Sequence, residues 1–161
     1  MKPIIDHIHI TVKNLDEAEK FYDVLLPLLG FDINLKGIDN VPENDYKIIE
    51  YHTKELTIGI VSPRKEFTDI KINRRRPGSL HHLAFMVETK NEVDELYKSI
   101  KELNVTIVNK PKYYKEYSED YYAVFFKDNQ NIEYEIVHYN RGKLFGEINE
   151  KRGNKAGQNV T

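Results

Sequence analysis

Residues 5–12 read Ile-Asp-His-Ile-His-Ile-Thr-Val, and residues 80–87 read Leu-His-His-Leu-Ala-Phe-Met-Val. Placing His7 on His82 aligns the two stretches from end to end, and the similarity continues in the segments that follow them. An ordered series of such matches is typical of a repeated supersecondary unit. The sequence therefore predicts a chain made of two copies of one module.

The two copies form one predicted domain over residues 1–141. The first copy spans about residues 4–62 and the second about residues 79–140, with a polar linker at 63–78. Residues 142–161 are rich in glycine and polar side chains, and we expect them to form a flexible tail.

Each copy shows the same order of local patterns, namely a short alternating strand, an amphipathic helix and three further strands. The predicted N-cap is Asn14 or Asp16 in the first helix and Asn91 in the second. The order β-α-β-β-β, found twice, places the chain in the α+β class. The apolar positions that share one helix face are Leu15, Ala18, Phe21, Tyr22 and Leu25, then Val93, Leu96, Tyr97, Ile100 and Leu103.

The 161 residues include 24 basic and 26 acidic side chains, with a formal net charge of −2 and 40% hydrophobic residues. The mean hydropathy is −0.62. These values are typical of a folded soluble domain, and the charge balance argues against nucleic acid or an anionic membrane as a partner. The chain has no apolar run of the roughly 18–20 residues that a membrane span needs, and it opens with no signal-peptide pattern. We therefore expect a cytoplasmic protein.

Cysteine is absent, so a metal site has to use His, Asp or Glu. Because side chains alternate along a strand, His7 and His9 share one face, and the repeat gives His7 and His82 equivalent positions. In the last strand of each copy, the equivalent positions hold Gly59 and Glu135. Two imidazoles and one carboxylate with open positions suit Fe(II), Mn(II), Zn(II) or Ni(II).

The chain resembles the vicinal oxygen chelate superfamily, which includes glyoxalase I, bleomycin-resistance proteins, fosfomycin-resistance enzymes, methylmalonyl-CoA epimerase and extradiol dioxygenases. Three stretches carry the resemblance, at residues 5–22, 81–85 and 126–135. The last reads Phe-Lys-Asp-Asn-Gln-Asn-Ile-Glu-Tyr-Glu, a degraded form of the family pattern Phe-x-Asp-Pro-Asp-Gly-x-x-x-Glu. The resemblance covers about residues 4–140 and implies two modules that form a curved mixed sheet around a cleft.

By this resemblance, His7, His82 and Glu135 correspond to the ligands of one divalent metal ion, with Zn, Mn, Ni, Fe and Co as candidates. Glyoxalase I and the epimerase have Glu or Gln where this chain has Gly59, which disfavours a standard glyoxalase I. Fosfomycin-resistance and dioxygenase members use two His and one Glu, so the triad remains workable. Residues 119–125 replace the Ser-x-x-x-Ser-x-Tyr stretch of the fosfomycin enzymes, which disfavours fosfomycin as the substrate.

Two further residues are candidate catalytic groups. His9 shares a face with His7 and is either an acid–base or supporting group or a packed core histidine. Tyr121 belongs to a tyrosine-rich segment, which forms either a hydrophobic rim or dimer surface or a substrate pocket with one phenol as a proton donor. Residues 74–76, Arg-Arg-Arg, are either a solvated linker patch or a clamp for a phosphate or carboxylate.

The leading functional hypothesis is a divalent-metal-dependent, glyoxalase-like lyase or isomerase, or a transferase. Its expected substrate is a small molecule that chelates the metal through adjacent oxygens. Two alternatives stay open, a metal-free ligand-binding module similar to bleomycin-resistance proteins and an extradiol-type dioxygenase. The resemblance also implies a homodimer, and the sequence leaves open whether His7 and His82 meet within one chain or across two.

Overall fold

The computed structural model describes residues 3–146 and residue 148. The first repeat forms its elements in the predicted β-α-β-β-β order. They are β1 (His7–Thr11), α1 (Leu15–Leu28), β2 (Asp32–Val41), β3 (Tyr46–His52) and β4 (Thr57–Val61). Short 3-10 helices lie at Pro42–Asn44 and at Lys65–Phe67, the second of them within the linker.

The second repeat forms the same five elements, which confirms the predicted two-module α+β fold. Strands β2 and β6 run past the strand-like stretches at residues 31–35 and 105–109 that predict them, because each continues to pair with the next strand up to the connecting turn. The elements are β5 (Leu83–Met86), α2 (Lys90–Lys101), β6 (Thr106–Tyr113), β7 (Tyr122–Lys127) and β8 (Glu133–His138).

The strands form two four-stranded sheets with the same topology. The order is β1-β4-β3-β2 in the first sheet and β5-β8-β7-β6 in the second. Strand β1 runs parallel to β4, and β5 runs parallel to β8. The other neighbouring strands are antiparallel. Strands β1 and β5 are therefore edge strands, and in the described part of the chain no ladder of hydrogen bonds joins the two sheets.

Each helix begins at a side chain that accepts a hydrogen bond from its first turn. The side chain of Asn14 accepts a hydrogen bond from the backbone N–H of Glu17 at 3.1 Å, which makes Asn14, one of the two predicted candidates, the N-cap of α1. The prediction of Asn91 for the second helix was wrong, because Thr89 is the N-cap and forms a capping box with Glu92. This Thr-x-x-Glu pattern is a known helix start. It gives partners to two backbone N–H groups, those of Thr89 and Glu92.

The two modules pack together through the sides of their sheets that carry the helices. The Tyr22 hydroxyl on α1 donates to Asp128 at 2.6 Å and contacts the hydroxyl of Tyr134 on β8. The Gln130 side chain accepts a 3.1 Å hydrogen bond from the backbone N–H of Lys13. One continuous apolar core surrounds these contacts. The opposite side of each sheet is here called the distal face. It carries His9, Glu50 and Gly59 in the first sheet and Ala84 and Glu135 in the second.

No helix in the described ranges is both long and apolar enough to cross a membrane. Residues 141–146 are helical. Most of the tail predicted at residues 142–161 lies outside the described residues.

Candidate metal site

The second module brings two of the predicted ligands into contact. His82 directly precedes β5, and Glu135 lies on the paired strand β8, opposite Ala84. The Nε2 atom of His82 is 3.2 Å from Oε2 of Glu135. Alternation along β8 directs Tyr134 and Ile136 into the core and Glu135 onto the distal face. The contact agrees with the predicted pairing, and the role of the two residues as ligands stays a prediction.

Glu135 is a buried carboxylate, with only 2% of its side chain exposed. Burial raises its pKa, while the hydrogen bond from Tyr121 and the nearby charge of His82 lower it. The Tyr121 hydroxyl donates to Oε1 at 2.8 Å, so His82 and Tyr121 approach different oxygens of the same carboxylate. A divalent cation beside Oε2 would compensate the buried negative charge.

A cavity of about 460 Å³ adjoins the His82–Glu135 pair. Two buried side-chain atoms in the described residues have no hydrogen-bond partner, the Tyr114 hydroxyl and Oε2 of Glu133, and both residues line this cavity. Because buried polar atoms are rarely left unpaired, a cavity with two of them is suited to a bound ion, water or polar ligand. The donor types and this polar cavity therefore suit part of a divalent-cation site, to which the second module would contribute His82 and Glu135.

His81 also lines this cavity, with its Nδ1 atom 2.9 Å from Nδ1 of His82. Strict strand alternation predicts the opposite face for His81. The prediction was wrong because β5 begins only at Leu83, so the alternation of an extended strand does not govern the two histidines. The contact at Nδ1 leaves Nε2 of His82 facing Glu135, which is the orienting role that outer partners of metal-binding histidines have.

The first module places His7 and His9 together on its distal face, as alternation predicted, with ring centroids 4.6 Å apart. The Nε2 atom of His9 also lies 3.4 Å from Oε1 of Glu50. Glu50 is on β3, directly across from Gly59 on β4. The sequence comparison missed Glu50 because the equivalent residue of the second repeat is Phe125. The β3–β4 register, which the structure supplies, places Glu50 beside the position that lacks a ligand.

Gly59 leaves no room for a side chain on the distal face. A Cβ atom at this position would lie 2.7 Å from Cδ2 of His9, 3.1 Å from Nε2 of His9 and 2.9 Å from Cδ1 of Ile48. Distances this short are well inside van der Waals contact, so the imidazole of His9 fills the space that a side chain at position 59 would need. A side chain at this position would therefore require the ring of His9 and the end of Ile48 to move.

The structure does not bring His7 to the His82–Glu135 pair. Within residues 3–146 and 148, no three His, Asp or Glu side chains converge as a single metal ion requires. The Nδ1 atom of His7 instead lies 2.9 Å from the carboxylate of Asp6, on an exposed part of β1. The two halves of the predicted site are on the distal faces, whereas the modules of one chain meet through the opposite faces. The halves are therefore separate within one chain.

Comparison with known proteins gives one family. A family model described as the Glyoxalase/Bleomycin resistance protein/Dioxygenase superfamily matches residues 4–136. The protein YqjT of Bacillus subtilis (strain 168), described as uncharacterized, is 25% identical over 131 residues, which cover 81% of this chain and 95% of YqjT.

Two solved structures have the same fold. A crystal structure from Bacillus halodurans superimposes with a TM-score of 0.66 at 28% identity, covering 84% of this chain and 95% of that chain. The fosfomycin resistance protein FosX from Listeria monocytogenes, complexed with Mn(II) and sulfate, gives a TM-score of 0.59 at 19% identity. That match covers 88% of this chain and 97% of FosX, and at this identity it shows the fold alone.

Proposed function

Because the chain belongs to the Glyoxalase/Bleomycin resistance protein/Dioxygenase superfamily, we propose that it is a divalent-metal-dependent enzyme. Its substrate is a small molecule that binds the metal through two adjacent oxygens, and the reaction is that of a glyoxalase-like lyase or isomerase, or of a transferase. The ligands are His7, His82 and Glu135. The observation that carries the proposal is the 3.2 Å contact of His82 with the buried Glu135, beside a cavity with two unpartnered polar atoms. FosX, which has the same fold, was crystallised with Mn(II).

When bound, the metal would stabilise negative charge that develops on substrate oxygens. The surrounding residues prepare the site. Tyr121 holds one oxygen of Glu135, and His81 holds the ring of His82. Burial and the charge of Glu135 raise the pKa of Tyr114 to about 12, so its unpartnered hydroxyl keeps its proton and can donate a hydrogen bond to a substrate oxygen.

We also propose that a second copy of the chain completes the site, as a homodimer. Within one chain, His7 stays apart from His82 and Glu135. The edge strands β1 and β5 each have an unpaired edge in the described structure, and beside them Ile5 is 66% and Met86 49% exposed. Unpaired strand edges with exposed apolar side chains are typical of a surface that another chain covers. The first module of one copy would then face the second module of the other.

A second candidate function is a metal-free module that binds an aromatic ligand. Tyr114, Tyr117, Tyr121 and Phe125 all line the cavity beside Glu135, and the rings of Tyr114 and Tyr117 are stacked, with centroids 6.0 Å apart. A planar ligand could stack on such a surface. We prefer the metal-dependent enzyme because a metal-free module gives no role to the buried carboxylate of Glu135. The extradiol-type dioxygenase uses the same three ligands and stays a prediction.

Metal analysis of the protein purified without chelator tests the proposal. The wild type should carry one divalent ion per chain, and His7→Ala, His82→Ala and Glu135→Ala should each lose it. His138→Ala is the matched control, since His138 is on the core side of β8 and contacts the carbonyl oxygen of Val87. Full loading of all three ligand variants would contradict the proposed site. A wild type that stays metal-free after incubation with Zn, Mn, Ni, Fe and Co would favour the binding module.

A further inference from the structure

One cross-strand pair is filled in opposite ways in the two modules. In the first module, His9 on β1 is opposite Gly59 on β4. In the second module, Ala84 on β5 is opposite Glu135 on β8. The two pairs are equivalent in the repeat, since β1 corresponds to β5 and β4 to β8. Each pair combines one potential metal ligand with one small residue. The potential ligand is on the first strand of the first module but on the last strand of the second module.

The contacts explain this exchange sterically. A Cβ atom on Gly59 would collide with the imidazole of His9, at 2.7 Å from Cδ2 and 3.1 Å from Nε2. The ring of His9 therefore occupies the volume that the first atoms of a side chain at position 59 would enter. In the second module, the small side chain of Ala84 leaves that volume to Glu135. With the ring of His9 in this position, a group supplied from β4 would displace the group supplied from β1.

His9 is a partly exposed residue of the distal face and not a packed core histidine. Its side chain is 35% exposed, and its ring lies 4.6 Å from the ring of His7. The carboxylate of Glu50 is 3.4 Å from Nε2 of His9. A carboxylate beside a metal-binding imidazole commonly fixes the orientation of the ring. Glu50 is suited to this role because β3 holds it directly opposite Gly59.

We infer that His9 is a fourth metal-ligating side chain that replaces the one position 59 lacks, and that Glu50 is its positioning residue. The inference rests on the proposed metal-dependent function and on the proposed homodimer that joins the two halves of the site. Each module then supplies two ligands, His7 and His9 from the first and His82 and Glu135 from the second. The donor set is three imidazoles and one carboxylate, which divalent ions of the Zn, Ni and Fe type accept.

The test measures the Zn²⁺ affinity of the metal-stripped full chain by calorimetry with a competing chelator. Pulsed EPR of the Cu²⁺-loaded chain counts the bound imidazoles. The wild type should show three imidazoles. His9→Ala should show two, and its Zn²⁺ affinity should fall by more than the roughly 10–100-fold typical of outer-shell changes. Glu50→Gln should keep three imidazoles, with an affinity lowered by about 10–100-fold. His138→Ala should match the wild type in both measurements.

A residue exchange tests the steric argument directly. Gly59→Glu alone forces its Cβ atom against His9, so we expect weaker Zn²⁺ binding. The double variant His9→Ala/Gly59→Glu copies the Ala84–Glu135 arrangement of the second module. It should bind Zn²⁺ more tightly than either single variant and show two imidazoles.

The outcomes separate this inference from the proposed function. A wild type that binds Zn²⁺, together with a His9→Ala variant unchanged in affinity and imidazole count, overturns the inference and leaves the function standing. A wild type that binds neither Zn²⁺ nor Cu²⁺ at a defined site overturns both. If thermal unfolding shows that His9→Ala is unfolded, His9→Phe keeps the ring volume without the nitrogens and replaces it in the comparison.

Discussion

The hydroxyl of Tyr121 donates a 2.8 Å hydrogen bond to the carboxylate of Glu135. Tyr121 directly precedes β7 and Glu135 lies on the neighbouring strand β8, so the bond joins two strands on the distal face. Burial and this bond raise the pKa of Tyr121 well above its ordinary value. The phenol therefore keeps its proton at neutral pH and can hold the carboxylate through this hydrogen bond, and its catalytic role stays a prediction.

Replacing Tyr121 by Phe should weaken metal binding while preserving the fold. The change leaves Oε1 of Glu135 without its donor, and loss of an outer partner typically lowers metal affinity by about 10–100-fold. Calorimetric titration with Zn²⁺ measures the loss. Tyr139→Phe is the control, because its ring stacks on Tyr121 with centroids 4.9 Å apart and its hydroxyl accepts from Arg141. Equal losses in both variants would assign the effect to the aromatic stack.

Local patterns were enough to predict the modules and part of the site. Strand alternation and helix periodicity depend on neighbouring residues, so the repeat predicted both sheets and placed His7 beside His9. Glu50 was not predictable in this way, because its relation to Gly59 depends on the register of β3 against β4. The repeat could not reveal it either, since it compares Glu50 with Phe125.

The relative placement of the modules was also beyond the sequence patterns. It depends on contacts between residues far apart in the chain, above all the hydrogen bond from Tyr22 to Asp128 and the contact of Tyr22 with Tyr134. These contacts join the core faces and leave the distal faces apart. Alternation predicts which face a side chain takes in its own strand, but not which other module that face meets.

Two defective copies should restore each other if the site forms between chains. We expect co-expressed His7→Ala and His82→Ala copies to form mixed dimers in which one site has every ligand and the other lacks both histidines. With random pairing, about one quarter of the wild-type number of tight Zn²⁺ sites should return. The pair His82→Ala and Glu135→Ala is the control, since both changes are in the second module and cannot complement. No gain in the first mixture would contradict a shared site.

Arg74 should contribute to stability more than its neighbour Arg75 does. The Arg74 guanidinium forms an ion pair with Glu133, whose side chain is only 3% exposed. Removing one partner of a buried pair costs about 3–5 kcal/mol, and because Arg74 is itself 37% exposed we expect about 2–3 kcal/mol for Arg74→Ala. The exposed Arg75→Ala should stay within about 0.5 kcal/mol.

Urea unfolding measures both free energies. The double variant Arg74→Ala/Glu133→Gln should recover part of the loss, because it removes the buried charge that Arg74→Ala leaves unpaired. An equal loss for Arg74→Ala and Arg75→Ala would mean that the ion pair is not the cause. It would then favour a solvated role for the whole Arg-Arg-Arg segment.

Asp128 should make the stability of the protein depend on pH. Burial raises the pKa of its carboxyl above the ordinary 3.8, against the hydrogen bonds from Tyr22 and the backbone N–H groups of Ile132 and Gln130. Since the folded state holds this proton more tightly than the unfolded state, the stabilisation is complete below the unfolded pKa. It is lost as pH rises through the folded pKa.

Asp128→Asn removes this titration, so the free energy of unfolding of the wild type minus that of the variant should fall as pH rises above about 4. Urea unfolding of both proteins over the acidic to neutral range gives this difference, in which the other carboxyl groups cancel. A difference that stays constant or grows with pH would show that the hydrogen bonds to Asp128 outweigh its burial.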